Sequence, residues 1–256
     1  MSINIELMRK KLARLKGEET STEVSVFFKP EEGEQDIRIV PAPDGDPLKE
    51  VFFHYDVPGV TSGIMCPKRN DGEQCPICEF ASRLWRDGVD NNDDQSKEMA
   101  KKLFVRSRYF SPIIVRGRES EGVKLYGYGK KAYEMLLGYI LDPDYGDITD
   151  PDSGTDISLT YEKPTKKGAY PQTNLKMRRN TSPLASDKAL YKNLMSNIPS
   201  VNDVFAEQRK TPAEIEKILD DMMNAEASPE ERSRETTSYN TTTTSKVDDA
   251  FKRLAS

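Results

Sequence analysis

Residues 54–80 read HYDVPGVTSGIMCPKRNDGEQCPICEF and contain the only histidine of the chain and all three of its cysteines. These residues are His54, Cys66, Cys75 and Cys78, with 11, 8 and 2 residues between successive members. A Cys3His set is a common closed, tetrahedral shell for structural zinc. The sequence therefore predicts one structural Zn²⁺, held by a loop over 54–86.

Two other interpretations of this segment compete with structural zinc. The first is a set of buried free cysteines beside an unrelated surface histidine. The second is a zinc deaminase, whose pattern is H-x-E followed by P-C-x-x-C. That pattern is not met, because Tyr55 and Asp56 follow His54, Gln74 precedes Cys75, and Cys66 would be a surplus ligand. A filled shell also leaves no position for a catalytic water, which favours a structural ion.

The composition limits where the protein can work. Of 256 residues, 36% are hydrophobic and 32% are charged, which predicts a buried core with solvated ends. No run of about 18 apolar residues is present, so we expect no membrane-spanning helix. The N-terminal residues do not resemble a secretory signal, and three cysteines without such a signal favour a reducing compartment. We therefore expect a cytoplasmic protein.

The charge is unevenly distributed along the chain. The formal net charge is −5, and residues 211–256 carry ten acidic and six basic side chains. Residues 99–118 carry six basic side chains and no acidic one. An acidic total alone would argue against nucleic acid as a partner, but this local basic segment weakens that argument.

The hydrophobic pattern predicts a mainly β fold with added helices. We expect a basic N-terminal helix within 1–20, a core over 21–200, and a helical, then disordered, tail over 201–256. One long strand is predicted over 102–117. The strands fit a β-barrel of OB type with an inserted zinc subdomain, and a β-sandwich fits them nearly as well.

Both ends of the chain carry short amphipathic patterns. Residues 1–17 place Ile5, Met8, Leu12 and Leu15 on one helical face and basic side chains on the rest. Residues 211–214, TPAE, form a capping box that predicts a helix start. The Thr-rich tail ends in VDDAFKRLAS, whose apolar stripe predicts a short helix that docks on a partner. The alternatives are that the stripe folds back on the same molecule and shields the basic groove, or that it is chance amphipathicity in a frayed terminus.

Basic and aromatic side chains alternate in three segments, 101–118, 124–133 and 166–179. Cations that contact phosphates, together with rings that stack on unpaired bases, are typical of single-stranded nucleic-acid binding. The ordinary alternative is that the rings belong to the core and the basic strands are solvated faces. The candidate DNA-binding residues are Lys101, Lys102, Arg106, Arg108, Tyr109, Phe110, Arg116, Tyr126, Tyr128, Lys130, Lys131, Tyr170, Lys176 and Arg178.

Four segments of the chain, together spanning about 23–182, resemble the helix-destabilising single-stranded DNA-binding proteins of T-even-type bacteriophages. They are VFFKPEEGEQDIRIVPAP (26–43), the His/Cys segment with CPIC (54–78), FVRSRYFSPIIV (104–115) and YGYGKKAYEML (126–136). The resemblance implies an OB-fold with an intrinsic zinc subdomain and cooperative binding without sequence preference. It also implies that the four His/Cys residues are the ligands. Seven side chains would line the DNA groove: Arg106, Arg108, Tyr109, Phe110, Tyr126, Lys130 and Lys131.

The same resemblance implies partners for the ends of the chain. Residues 1–17 would mediate self-association along the DNA, although they lack the hydroxyl residues of the family's N-terminal segment. The alternative is a helix that packs on the protein's own core through its apolar face. The tail would contact replication proteins such as polymerase, primase or a helicase loader, although it is Thr-rich and only mildly acidic, where the family's tail is strongly acidic. The host would be a bacterial cell.

We therefore expect a non-enzymatic protein that coats single-stranded DNA in phage replication, recombination and repair. The alternative is a zinc-containing protein-interaction or transcription-regulating module, in which the aromatics form the core. An enzyme has little support, since no Ser/His/Asp set, phosphate-binding Gly loop or paired carboxylates are found and the histidine is assigned to metal.

Overall fold

The computed structural model of the chain describes residues 25–164 and 171–226, without the side chains of 224–226. The predicted N-terminal helix, Tyr170 and the docking segment of the tail lie outside these residues. Within the described residues, no helix has both the length and the apolar composition that a membrane span requires.

The described residues form one mixed sheet with helices at its ends and on its outer face. The strands are β1 (Phe27–Phe28), β2 (Gly33–Ile39), β3 (Lys49–His54), β4 (Ile64–Met65), β5 (Arg106–Val115), β6 (Lys124–Tyr128), β7 (Thr155–Glu162) and β8 (Gln172–Thr181). The helices are α1 (Pro67–Asn70), α2 (Pro76–Asp90), α3 (Asp94–Leu103), α4 (Lys130–Leu141), α5 (Lys188–Ser196), α6 (Val201–Val204) and α7 (Pro212–Glu226). This confirms the prediction of a mainly β chain with added helices.

The strand order is β1-β6-β5-β2-β7-β8, with β3 paired to β5 and β4 paired to β3. The β1–β6 pair is parallel and the other pairs are antiparallel. These pairings give a sheet that ends at β1 and β8, so they do not by themselves establish the closed OB-type barrel.

Strand β5 organises the sheet because it has two successive neighbours on one side. Its first half, from Arg106 to Phe110, pairs with β3, and its last residues, from Ile113, pair with β2. Pro112 lies at the change of neighbour, where its carbonyl accepts a hydrogen bond from the Val40 amide at 2.9 Å. A proline is tolerated in this central strand because no ladder bond requires its missing N–H there.

The main core lies on one face of six strands. Because side chains alternate along a strand, every second residue points to this face. Helix α4 covers the core through Ala132 and Leu136. The strand side chains in it include Phe28, Ile37, Ile39, Ile113, Val115, Tyr126, Ile157, Leu159, Leu175 and Met177.

The insertion between β3 and β5, residues 55–105, has a core of its own, and we call it the metal unit. Helices α2 and α3 pack on each other there and contribute Ile77, Phe80, Leu84, Ala100 and Leu103. Helix α7, far along the chain, closes this core with three apolar residues at helical spacing, Ile215, Leu219 and Met222. Its predicted capping box is present, with Glu214 accepting from the Thr211 amide at 2.7 Å.

The outer face of β3 and β5 is covered by the segment around α6. The Phe205 ring lies 4.7 Å from the Phe110 ring and 5.2 Å from the Phe53 ring, measured between centroids. Phe110 is therefore buried although it lies on the outer face of the sheet.

One boundary differs from the sequence prediction. The long strand begins at Arg106, four residues later than predicted, because α3 extends to Leu103. The Asp93 side chain caps this helix by accepting from the Gln95 amide at 3.0 Å. Ala100 and Leu103, three residues apart, then bury the helix against the metal unit. Lys102, predicted as the first residue of the strand, consequently lies on this helix, as does Lys101.

Candidate metal centre and nucleic-acid interface

The four predicted ligands meet in one place. Their ligand atoms all lie within 4.8 Å of one another. The His54 Nε2 atom is 3.3 Å from the Cys75 Sγ atom and 3.5 Å from the Cys78 Sγ atom. The Cys66 and Cys78 sulfurs are 3.6 Å apart.

These distances fit one tetrahedral ion. With zinc–sulfur bonds of about 2.3 Å and zinc–nitrogen bonds of about 2.0 Å, two sulfurs should be about 3.8 Å apart, and a sulfur and a nitrogen about 3.5 Å apart. His54, Cys66 and Cys75 are fully buried, and Cys78 is half-buried. The buried His/Cys group can therefore hold a single zinc ion.

Local structure brings the ligands together from three short segments. His54 ends β3, Cys66 follows β4, Cys75 directly precedes α2, and Cys78 lies in the first turn of α2. Pro76 occupies the first helical position, where its missing N–H is not needed. The positive end of the helix dipole at this turn stabilises thiolates.

The histidine is oriented by a backbone contact. Its Nδ1 atom lies 2.8 Å from the carbonyl oxygen of Leu103, so Nδ1 carries the proton and donates it. The Nε2 atom is then the one that faces the sulfurs. This partner was not predicted, because every residue has a backbone carbonyl and the sequence does not indicate which one a side chain will contact.

Mutual hydrogen bonds shift the pKa values of the cysteines in opposite directions: contacts with the Cys75 and Cys78 sulfurs lower the pKa of Cys66 to about 3. Hydrogen bonding with the Cys66 and Cys75 sulfurs, together with burial, raises the pKa of the Cys78 thiol. Three sulfurs in contact, two of them on fully buried residues, cannot all be thiolates unless a positive charge lies among them. A divalent cation supplies that charge.

Two of the predicted DNA-binding arginines lie together at the start of β5. Arg106 and Arg108 are exposed on the same face of the strand, opposite Phe53 and Val51 of β3. Arg106 forms an exposed ion pair with Asp56 at 3.1 Å. Arg108 makes no ion pair with any residue that the structure describes.

A half-buried tyrosine accompanies these arginines. Burial raises the pKa of the Tyr55 hydroxyl, and the nearby charges of Arg108 and Arg106 oppose that rise. Tyr55 also contacts the Phe53 ring, with centroids 5.7 Å apart. Tyr55 was not among the predicted residues, although it follows the predicted ligand His54 directly.

The predicted rings are placed mostly inside the protein. Tyr109, Phe110, Tyr126 and Tyr128 are each at most 7% exposed. The Tyr109 ring stacks on Tyr133 at 3.9 Å between centroids. Burial raises the pKa of Tyr126 to about 12, with an opposing hydrogen bond to Thr173.

The predicted lysines are exposed and lie in three different places. Lys102 lies in the last turn of α3, where its backbone carbonyl accepts a hydrogen bond from Arg106 at 3.4 Å, whereas Lys101 pairs with Glu98 at 2.6 Å. Lys130 lies near Glu134 on α4, and Lys131 lines an open groove of about 670 Å³ between α4, β7 and β8. Lys176 is exposed on β8.

The other two predicted arginines are held by intramolecular contacts. Arg116 bonds Asp156 at 2.9 Å and the Leu184 carbonyl at 2.8 Å. Arg178 bonds both carboxylate oxygens of Asp36, at 2.7 and 2.8 Å.

Comparison with known protein families matches residues 31–226 to the family described as gp32 DNA binding protein like. This match spans most of the chain. The chain belongs to this family. Comparison with curated proteins gives no match.

The gp32-like match includes the structural features described above. The metal group, β5 with both exposed arginines, and α4 all lie within 31–226, and α7 ends at its last residue. Membership of this DNA-binding family supports single-stranded DNA as the ligand, and it confirms the family that the sequence resembles.

One buried residue of the gp32-like domain was missed by sequence reasoning. Arg38 is fully buried and bonds Asp156 at 2.8 Å and Ser182 at 2.8 Å. Burial lowers the pKa of its guanidinium, while Asp156 opposes that change. The alternation of Ile37, Arg38 and Ile39 predicts an outward side chain, and no local signal indicates that α5 and the segment around Leu184 cover that face.

Proposed function

We propose that this protein is a sequence-nonspecific single-stranded DNA-binding protein that coats DNA during phage replication, recombination and repair. It acts without catalysis, in the cytoplasm of the bacterial host. The observation that carries the proposal is the exposed arginine pair at the start of β5, next to the metal unit, in a chain of a DNA-binding family.

In the proposed interface, cationic side chains contact phosphates and an aromatic ring contacts a base. Lys102, Arg106 and Arg108 would contact phosphates, because their side chains are exposed on adjoining elements. A base could reach the half-buried Tyr55 beside them. The buried rings of Tyr109, Phe110, Tyr126 and Tyr128 would then shape and support the strands that carry the cations.

The remaining candidates would extend or buttress this surface. Lys101, Lys130, Lys131 and Lys176 would add positive potential along the path of the strand, and Tyr170 would add a ring. Arg116 and Arg178 would act mainly through their carboxylate partners, Asp156 and Asp36, since both are engaged there in the free protein.

We assign one structural Zn²⁺ to His54, Cys66, Cys75 and Cys78. The ion, when bound, would supply the positive charge that lets all three cysteines be thiolates. The four ligand residues would close the loop and fix the start of β5 relative to β3. The carbonyl of Leu103 would orient the imidazole of His54.

For the fold, we propose an OB-like barrel. The Tyr126 hydroxyl of β6 bonds the Thr173 side chain of β8, which supports an approach of the edge strand β8 to β6, the neighbour of the other edge strand β1. For the ends of the chain, residues 1–17 would mediate cooperative self-association, and the tail beyond 226 would bind polymerase, primase or a helicase loader.

A competition experiment tests the function. The full chain is titrated with oligo(dT) while the fluorescence of its single tryptophan, Trp85, is followed, and duplex DNA of equal length is added as competitor. We expect saturable binding of oligo(dT) that duplex displaces poorly. Absence of binding, or a preference for duplex, would reject the proposal, and the interaction module predicted as the alternative would then be tested.

A further inference from the structure

We propose that Asn70 is a positioning residue of the metal centre, which holds two ligand segments at the spacing the ion requires. The inference rests on the proposed zinc site and concerns a residue outside the ligand set. Asn70 is the last residue of α1, four residues after Cys66.

The Asn70 side chain makes three hydrogen bonds, and all three go to backbone atoms of those two segments. Its Oδ1 atom accepts from the Phe52 amide at 3.0 Å, and its Nδ2 atom donates to the Phe52 carbonyl at 2.8 Å. The same Nδ2 atom donates to the Cys66 carbonyl at 2.9 Å. One carboxamide thus joins a residue of β3, two positions before His54, to the ligand Cys66.

This arrangement continues a β ladder where the backbone cannot. Strand β4 pairs with β3 as far as Met65, opposite Phe53. The Cys66 amide then donates to the Phe52 carbonyl at 2.9 Å, and the chain turns away into α1. A carboxamide has the donor and acceptor of a peptide group, so Asn70 supplies the next pair of ladder bonds beside Phe52.

A neighbouring residue strengthens the same contact. The Arg69 guanidinium lies over the Phe52 ring, with its central carbon 4.6 Å from the centroid. Two successive residues of α1 therefore hold Phe52, one by its backbone and one by its ring. Because β3 ends two residues later at His54, this fixes the imidazole relative to Cys66.

The chemistry of close substitutes makes the role specific. Asn70→Asp keeps an acceptor for the Phe52 amide but loses both donors, and it places a negative charge against two carbonyls near three thiolates. Asn70→Gln keeps the functional group but moves it by one methylene. Asn70→Ala removes all three bonds.

The test measures metal retention directly. Zinc release from the full chain into excess chelator is timed for the native protein, for Asn70→Ala and Asn70→Asp, and for Asn91→Ala as a control. Asn91 lies in the same unit and bonds the Asp87 carbonyl at 2.9 Å, at the end of α2. We expect about 10–100-fold faster release from both Asn70 variants, the usual effect of losing an outer partner of a metal site. We expect release from Asn91→Ala within about twofold of the native rate.

A second measurement separates positioning from general destabilisation. Met222→Ala loosens the core of the same unit from α7, at a residue outside the ligand set that makes none of the Asn70 hydrogen bonds. The visible absorption of the Co²⁺-substituted protein should change in the Asn70 variants and stay native in Met222→Ala. Equal release rates and unchanged Co²⁺ spectra in the Asn70 variants would overturn the proposal. If the native protein binds no zinc at all, the zinc assignment itself fails, which is a different outcome.

Discussion

The Nδ1 atom of His54 lies 2.8 Å from the carbonyl oxygen of Leu103, which joins a candidate metal ligand to the last residue of α3. Arg106, the first arginine of β5, follows only three residues later. The position of the exposed arginines is therefore coupled to the imidazole, and through it to the other three ligands.

Removal of the metal should destabilise the metal unit. The native protein should contain one zinc ion per chain. Either Cys75→Ser or chelation should lower the free energy of unfolding by at least about 3 kcal/mol, because the free energy of metal binding at a structural site contributes directly to folding. Thermal unfolding with and without chelator measures this. Chelator should change the unfolding temperature of Cys75→Ser little further. If chelator leaves the unfolding temperature of the native protein unchanged, the expectation is contradicted.

The buried hydroxyl of Tyr126 predicts a loss of stability at alkaline pH. Its pKa is raised by burial to about 12, from about 10 in an unfolded chain. A raised pKa in the folded state means that the associated stability is complete below pH 10 and is lost as the pH rises toward 12. Tyr126→Phe cannot ionise and should lose less stability over that interval, by about 2–3 kcal/mol.

Urea unfolding of the native protein and of Tyr126→Phe, at neutral pH and between about pH 10 and 12, measures this difference. At neutral pH the variant should be less stable by about 1 kcal/mol, since the bond to Thr173 is lost. Parallel alkaline curves for the two proteins would show that the pKa of Tyr126 is the same in the folded and unfolded states, and would contradict the raised pKa.

The ion pair of Arg38 and Asp156 predicts an asymmetric result. Asp156→Asn leaves a fully buried guanidinium without its carboxylate and should cost about 3–5 kcal/mol. Arg38→Met replaces that cation with an apolar side chain and should cost much less, since Asp156 keeps its contact with Arg116. The double variant should recover most of the loss of Asp156→Asn in denaturant unfolding. Equal costs for the two single variants would show that the pair itself is strongly stabilising.

The convergence of the four candidate metal ligands could be predicted from the sequence because the information for it is local. Cys75 and Cys78 are brought together by one turn of helix, and His54 and Cys66 lie on either side of a short strand pair. Ligand identity and spacing were therefore sufficient. The partners Leu103 and Asn70 were not predicted, because one acts through its backbone and the other has many ordinary roles at helix ends.

The exposure of the β5 side chains could be predicted only in part. Alternation placed Arg106 and Arg108 on one face, and the structure leaves both exposed. The same alternation placed Phe110 beside them, but Phe205, distant in the sequence, packs over its ring. Burial on an outer face is decided by such distant segments, which strand periodicity does not reveal.

The most direct test of the central claim is the salt dependence of binding to oligo(dT), compared between the native protein, Arg108→Ala and Lys217→Ala. Each phosphate contact on a single strand contributes about −0.7 to the slope of log K against log salt concentration. Lys217 is an exposed cation on α7 and serves as the charge-matched control. The account predicts a steep slope that flattens by about 0.7 in Arg108→Ala and is unchanged in Lys217→Ala. Binding without salt dependence, or the same slope in all three proteins, would contradict it.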